Sequence, residues 1–127
     1  MSCALPLEGV TVVDIGTMTA GPYAARFLGD LGANVIKVEP TKGEVCRTLG
    51  LRFGNNSYLY HVNNYNKKSL ALNVQQEPDR STFLELVARS DVLIENFATG
   101  TMEKWGLGFE DCKKVNPNII YCSVTGF

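Results

Sequence analysis

The chain has 127 residues, of which 45% are hydrophobic and 20% charged, so it can bury a core and is not a disordered polymer. Its 12 basic and 13 acidic residues leave a net charge of −1, which excludes a general nucleic-acid binder because such proteins carry a basic excess. No apolar run approaches the ~18–20 residues of a membrane span, and the N-terminus lacks the basic and apolar regions of a signal peptide. We expect no membrane partner, and a protein of the cytoplasm, or of the mitochondrial or peroxisomal matrix if the source is eukaryotic.

The first forty residues predict a strand–helix–strand unit. The β-branched run 10–15 is typical of a buried strand, and Pro22 suits the first turn of the helix that follows it, over 23–31. Gly32 suits the end of that helix, and a second strand follows at 34–39. Four apolar residues at helical spacing predict the buried face of the helix: Ala24, Phe27, Leu28 and Leu31.

The rest of the chain continues the alternation after a long excursion. The segment 41–66 is rich in Gly and Asn and shows no regular pattern beyond a short helical turn. Long connections of this kind are often functional. Further strands are predicted at 68–73, 91–97 and 118–124, and helices at 78–90, 100–105 and 109–115.

This alternation predicts an α/β fold with a parallel, doubly wound sheet. Ligands of such sheets bind beyond the carboxyl ends of the strands. A functional cleft should therefore gather residues from the segments that follow the predicted strands, namely 16–21, 39–41, 73–75, 96–100 and 125–127.

The common nucleotide-binding motifs are absent. The turn Gly16-Thr17-Met18-Thr19-Ala20-Gly21 lacks the middle glycine of a dinucleotide fingerprint, and Pro22-Tyr23 replaces the Lys-Ser/Thr of a P-loop. Two interpretations of this turn stay open. It either presents the N-terminus of a helix to an anion or only makes a tight connection between strand and helix.

No catalytic or metal-binding constellation stands out. The four cysteines (Cys3, Cys46, Cys112 and Cys122) form no CxxC pair and stand at no ligand spacing from His61, so we expect reduced thiols and no metal. Acids at 14 and 95 lie in apolar strands near the expected cleft, where a buried acid with an ionic partner is the simpler interpretation.

Several motifs closely resemble the opening of the class III CoA-transferases, the family of formyl-CoA transferase, carnitine CoA-transferase and α-methylacyl-CoA racemase. The resemblance covers nearly the whole chain in order. Its motifs are Leu7-Glu8-Gly9-Val10, Ala20-Gly21-Pro22-Tyr23-Ala24, the run 28–40, Asn66-Lys67-Lys68-Ser69-Leu70, Ser90-Asp91-Val92-Leu93-Ile94-Glu95-Asn96-Phe97, Gly106-Leu107-Gly108 and the run 116–127.

The resemblance implies a Rossmann-like parallel sheet with flanking helices, here as the truncated N-terminal part of the large CoA-binding domain, spanning 1–127. It further implies an interlocked homodimer whose subunits thread through each other. The substrates would be an acyl-CoA thioester and a free carboxylic acid. A catalytic aspartate would attack the thioester, form a mixed anhydride and then an aspartyl-CoA thioester.

The resemblance also implies which residues contact coenzyme A. Thr19 and Ala20 match positions near the reacting end, and Asn96 and Phe97 match a strand-end pair that touches the cofactor. Lys104 stands where the family has an Arg that meets a CoA phosphate, and it can supply the charge as a point cation. Four consecutive residues match a segment lining the adenine side: Leu72, Asn73, Val74 and Gln75.

The family's catalytic aspartate is expected beyond residue 127, so the resemblance implies no catalytic residue within this chain. Alternatives stay open: a non-catalytic CoA- or nucleotide-binding remnant, or the N-terminal part of a racemase. For a binding remnant, the charge for the phosphates would come from lysines: Lys37, Lys42, Lys67, Lys68 and Lys104.

Overall fold

The computed structural model describes residues 4–126 and confirms the α/β class. The strands are β1 (Thr11–Asp14), β2 (Asn34–Glu39), β3 (Arg52–Phe53), β4 (Asn56–Ser57), β5 (Lys68–Ala71), β6 (Val92–Glu95) and β7 (Ile120–Ser123). The helices are α1 (Ala20–Asp30), α2 (Tyr58–Asn64), α3 (Asp79–Ala88), α4 (Thr101–Lys104) and α5 (Phe109–Val115), with one 3₁₀ turn at Val45–Arg47. The predicted strands 68–73, 91–97 and 118–124 are each a few residues shorter than the sequence pattern suggested.

Five of the strands form one parallel sheet in the order β5-β2-β1-β6-β7. Strand β1 is central, and Val12 is aligned with Val35 of β2 and Val92 of β6. The chain leaves β1 toward one edge and returns to β6 on its other side. The strand order therefore reverses at β1 and β6, the place where doubly wound sheets bind their ligands.

Hydrophobic cores cover both faces of the sheet. Because side chains of a strand alternate between faces, Val12 joins one core with Ala25 of α1, and Val13 joins the other with Phe83 of α3. The second core also contains residues of α4 and α5. Helices on both faces explain why the central strands are apolar along their whole length.

The buried face of α1 matches the prediction only in part, since Leu28 packs against the core but two other predicted residues do not. Phe27 and Leu31 are exposed, and the helix packs instead through Gly21, Ala25 and Gly29. These small residues are spaced by four and let the helix approach the sheet closely. Gly32 does end the helix as predicted, with a φ of +104° that favours glycine, and its N–H donates to the carbonyl of Gly29 at 3.0 Å.

The excursion after β2 is more ordered than its sequence suggested. It contains the 3₁₀ turn, a two-stranded antiparallel hairpin of β3 and β4, and α2. Ser57 caps α2 by accepting a hydrogen bond from the Tyr60 N–H at 3.3 Å. Within residues 4–126, none of the helices has the length and apolar character needed to cross a bilayer.

Candidate functional site

A cleft opens at the carboxyl ends of β1, β2, β5 and β6. It encloses about 480 Å³ of empty space, open solvent at its mouth included. The lining residues come from each of these strand ends, from the excursion and from the residue after α4: Ile15, Gly16, Thr17, Val38, Glu39, Pro40, Glu44, Leu72, Asn73, Val74, Gln75, Phe97 and Trp105. This cleft therefore contains residues of four of the five segments that topology indicated.

The walls of the cleft are largely apolar. Val38, Leu72 and Val74 are buried, and they line it from the β2 and β5 side. Phe97 and Trp105 line it from the β6 side, with their rings edge to face at 5.0 Å between centroids. Such walls suit a flat or apolar group rather than a strongly hydrated ion.

Asn96 shapes the floor of the cleft by holding the turn after β1. Its side-chain oxygen accepts from the Thr17 N–H at 2.6 Å, and its amide nitrogen donates to the Thr17 carbonyl at 2.9 Å. A Cβ on Gly16 would come within 2.8 Å of that oxygen, so glycine is required there for the close approach. Packing thus accounts for the glycines of this turn without an anion.

Beneath the turn lies a buried ionic cluster, defined here as Asp14, Lys37, Glu44 and Lys67. Lys67 Nζ is 2.7 Å from Asp14 Oδ2, and Lys37 Nζ is 3.6 Å from the same oxygen. Lys37 also donates to the carbonyl of Gly16. Burial lowers the pKa of Lys67, an effect that the negative charge of Asp14 opposes.

A second set of polar side chains connects the excursion to the end of β2 through hydrogen bonds. Glu39 accepts hydrogen bonds from Arg47 at 2.5 and 2.7 Å, from Ser69 at 3.0 Å and from the Tyr60 hydroxyl at 3.1 Å. Burial alone would raise the pKa of Glu39, but the bonds from Arg47, the Glu44 N–H and Ser69 outweigh it and lower that pKa to about 2. Burial, and then the charge of Glu39, raise the pKa of Tyr60 to about 12.

The structure brings together some of the predicted contact residues. Leu72, Asn73, Val74, Gln75 and Phe97 all line the cleft. Asn96 lies next to them, but its amide is occupied by Thr17. The other three are exposed and do not line the cleft: Thr19, Ala20 and Lys104. Residue 127, which the expected site also included, lies outside the described residues.

The lysines divide into two groups. The side chains of Lys37 and Lys67 are each 1% exposed and belong to the ionic cluster, so they are structural cations rather than surface charges for a phosphate. Lys42, Lys68 and Lys104 are exposed. Within the described part of the chain, no group of three or more His, Cys, Asp or Glu is positioned to hold a metal ion.

Sequence reasoning missed several lining residues. Glu44 lies in the excursion, which was recognised as a candidate functional segment without any residue being singled out. Trp105 follows Lys104, so the neighbour of a chosen residue lines the cleft instead. Both are located by tertiary folding and not by a local motif.

Comparisons with known proteins give a consistent result. The model of a family described as CoA-transferase family III matches residues 7–127. The succinyl-CoA:glutarate CoA-transferase of Mus musculus is 46% identical over 124 residues, and the alignment covers 96% of this chain and 28% of that protein. The acetyl-CoA:oxalate CoA-transferase of Acetobacter aceti is 42% identical, with 96% and 32% covered.

Solved structures agree with the fold. A crystal structure of a hypothetical protein from Mycobacterium tuberculosis superposes with a TM-score of 0.91 at 40% identity, covering 98% of this chain and 34% of that one. A CAIB/BAIF family protein from Brucella suis gives the same TM-score, identity and coverage. The chain therefore spans about a third of the length of the proteins that it matches.

Proposed function

This chain belongs to CoA-transferase family III, and from that premise we propose that the protein carrying it transfers CoA from an acyl-CoA thioester to a free carboxylic acid. The chain contributes part of a CoA-binding domain. The observation that carries this proposal is the cleft at the carboxyl ends of β1, β2, β5 and β6, because four residues expected to contact CoA, Leu72 to Gln75, line it together.

The acceptor in this proposal is a dicarboxylic acid. The names of similar proteins give glutarate, L-malate and oxalate as acceptors, and succinyl-CoA or acetyl-CoA as donors. All three acceptors carry two carboxylates on a short carbon chain. A protein 42–46% identical over this segment is expected to use the same class of acid.

The exposed lysines bind the phosphates of CoA in this proposal. No Lys or Arg is among the lining residues of the cleft in 4–126, so the phosphates are better placed outside it. Lys104 at the end of α4 and Lys42 after β2 are exposed beside elements that line the cleft. Thr19 and Ala20, at the exposed N-terminus of α1, are assigned to the reacting end of the cofactor.

The nucleophilic carboxylate comes from outside residues 4–126 in this proposal. The acids at three strand ends near the cleft are already engaged: Asp14 by Lys67, Glu39 by Arg47, and Glu95 by Ser123 and the Phe97 N–H. A carboxylate held in this way is a poor nucleophile because attack would break its ion pair or hydrogen bonds. An aspartate C-terminal to the described residues, together with the partner subunit of an interlocked homodimer, would complete the site.

The direct test is a transfer assay on the intact protein. Incubation with succinyl-CoA and glutarate, L-malate or oxalate, followed by chromatography of the thioesters, is expected to give the CoA thioester of at least one acceptor. Folded protein that forms no acceptor thioester, or that only epimerises a 2-methylacyl-CoA, would overturn the proposal.

A matched pair of variants tests the cleft itself. Gln75 and Gln76 are exposed neighbours, but only Gln75 lines the cleft. Gln75→Trp should raise the KM for the acyl-CoA about tenfold by narrowing the cleft, which corresponds to the loss of 1.4 kcal/mol of binding. Gln76→Trp should leave the KM unchanged, and equal KM values for the two variants would contradict the assignment.

A further inference from the structure

The turn between β1 and α1 contains a residue in an unfavourable backbone conformation. Met18 has a φ of +60°, a left-handed value that residues other than Gly, Asn and Asp rarely adopt. Such a residue persists only where the surrounding structure holds it, and residues of this kind cluster at sites that need a fixed geometry. The contacts that hold Met18 therefore bear on the function of the turn.

Side chains from other segments hold three consecutive carbonyl groups of this turn. The carbonyl of Met18 accepts a hydrogen bond from the Asn63 side-chain amide at 2.9 Å and one from the Cys46 thiol at 3.4 Å. The two carbonyls before it accept from Lys37 and Asn96, as described above. The turn is thus fixed at each of the residues 16–18 and not only where it joins β1 and α1.

The amide donor to Met18 comes from α2 in the excursion. Asn63 is only 2% exposed, and burying an asparagine is costly unless its amide is hydrogen-bonded. The bond to the Met18 carbonyl accounts for a polar side chain at this position. Helix α2 is itself connected to α1, because the Arg26 guanidinium donates to the Val62 carbonyl at 2.9 Å. Asn63 therefore reaches Met18 from a well-anchored element.

The turn separates the cleft from the residues that the proposed function assigns to the reacting end of CoA. Gly16 and Thr17 line the cleft, whereas Thr19 and Ala20 follow Met18 at the exposed N-terminus of α1. A change of φ at Met18 would redirect the chain between these two pairs. The conformation of Met18 therefore determines where Thr19 and Ala20 lie relative to the cleft.

We propose that Asn63 is a positioning residue for the transfer reaction: its amide holds Met18 in the left-handed conformation and so places Thr19 and Ala20 at the reacting end of CoA. This inference rests on the proposed function, because it takes CoA transfer as the reaction. Asn63 does not line the cleft, so it acts through the turn and not on the ligand. Its loss should lower kcat and leave the KM for the acyl-CoA unchanged, since the cleft residues 72–75 are not altered.

The first variant is Asn63→Leu, which keeps the approximate volume of the side chain and removes its donor, leaving the weaker Cys46 thiol. Initial rates of the intact protein are measured with succinyl-CoA and whichever of glutarate, L-malate and oxalate gives most product. The kcat should fall about tenfold because the reacting end is misplaced, and the KM for succinyl-CoA should stay within about twofold of the wild type. Asn118→Leu makes the same substitution at an exposed asparagine that does not line the cleft, and should keep both wild-type values.

Variants of Met18 separate positioning from a loss of stability. Asparagine adopts a positive φ more readily than methionine does, so the double variant Asn63→Leu/Met18→Asn should regain most of the lost kcat. Proline fixes φ near −65°, so Met18→Pro should lower kcat even with Asn63 in place, and it tests the inference should Asn63→Leu not fold. All rates are expressed per folded protein, measured from the stoichiometry of CoA binding by calorimetry.

Four results would overturn the inference. Folded Asn63→Leu or Met18→Pro protein that keeps the wild-type kcat would show that the conformation of the turn does not affect the reaction. A raised KM for succinyl-CoA with unchanged kcat would assign Asn63 to binding. A double variant no faster than Asn63→Leu would show that the amide does not act through Met18. Folded wild-type protein that transfers CoA to none of the three acids would overturn the proposed function as well.

Discussion

Glu39 shows how a single residue can fix a long loop. It ends β2, and its carboxylate accepts hydrogen bonds from Arg47, Tyr60 and Ser69. The Arg47 guanidinium also lies 3.9 Å above the Tyr60 ring. One buried acid thus organises the excursion around the mouth of the cleft, which makes its ionisation important for stability.

Acid should therefore destabilise the protein through Glu39. Its pKa in the folded state is about 2, below its ordinary value of 4.5. Its contribution is fully present above pH 4.5 and is lost as the pH falls toward 2, at a cost of up to about 3 kcal/mol. Unfolding by urea across this pH range should show a smaller decline for Glu39→Gln than for the wild type.

Glu85→Gln is the control for this experiment, because Glu85 is exposed and its side chain makes no hydrogen bond among the described residues. It should follow the wild-type curve. A Glu39→Gln variant with the same pH dependence as the wild type would contradict the role given to Glu39.

At the scale of elements, Lys67 joins several parts of the fold at one point. Its ammonium group contacts Asp14 at the end of β1, the Pro22 carbonyl in α1 and the Asn64 side chain in α2. Lys67 immediately precedes β5. One side chain therefore links two helices to the carboxyl end of β1.

Removing this link should be costly. Lys67→Met leaves Asp14 buried with only the more distant Lys37, and should lower the free energy of unfolding by about 3 kcal/mol. Lys68 is the exposed neighbour on β5, and Lys68→Met should change the free energy of unfolding by less than about 0.5 kcal/mol. Urea denaturation followed by circular dichroism measures both, and equal unfolding free energies would refute the role of Lys67.

Regular elements were predictable from the sequence where a local pattern decides them. Apolar periodicity, together with helix-ending residues such as Gly32, predicts β1, β2, α1 and α3. The excursion was not predictable, because β3 and β4 have only two residues each. Ser57 of β4 is held by the Leu49 carbonyl, and Tyr60 of α2 by Glu39. The prediction of the buried face of α1 was right only for Leu28, because small size rather than hydrophobicity selects Gly21 and Ala25 for close packing.

The sequence predicted where the candidate site lies better than it predicted which side chains contact each other there. Parallel strands align their carboxyl ends, so the location of the cleft follows from strand order alone. The partners of Asp14 and Glu44 do not follow from sequence, because Lys37 and Lys67 reach them only through the folded sheet. Both lysines look like ordinary surface charges in the sequence.

At the scale of the whole molecule, the described residues leave some large apolar side chains exposed at the edges of the fold. The exposed edge strand β7 carries Ile120 at 63% exposure, and the hairpin carries Phe53 at 91%. The cleft, in contrast, is lined within this chain and can be tested directly.

The most direct test of the central claim uses Trp105, the one tryptophan of the 127 residues, which lines the cleft beside Phe97. When CoA is titrated into the intact protein, tryptophan fluorescence should change until the binding site is saturated. The Trp105→Phe variant should still bind CoA by calorimetry but should no longer show this fluorescence change. CoA binding that leaves the fluorescence of Trp105 unaltered would contradict the assignment of this cleft to CoA.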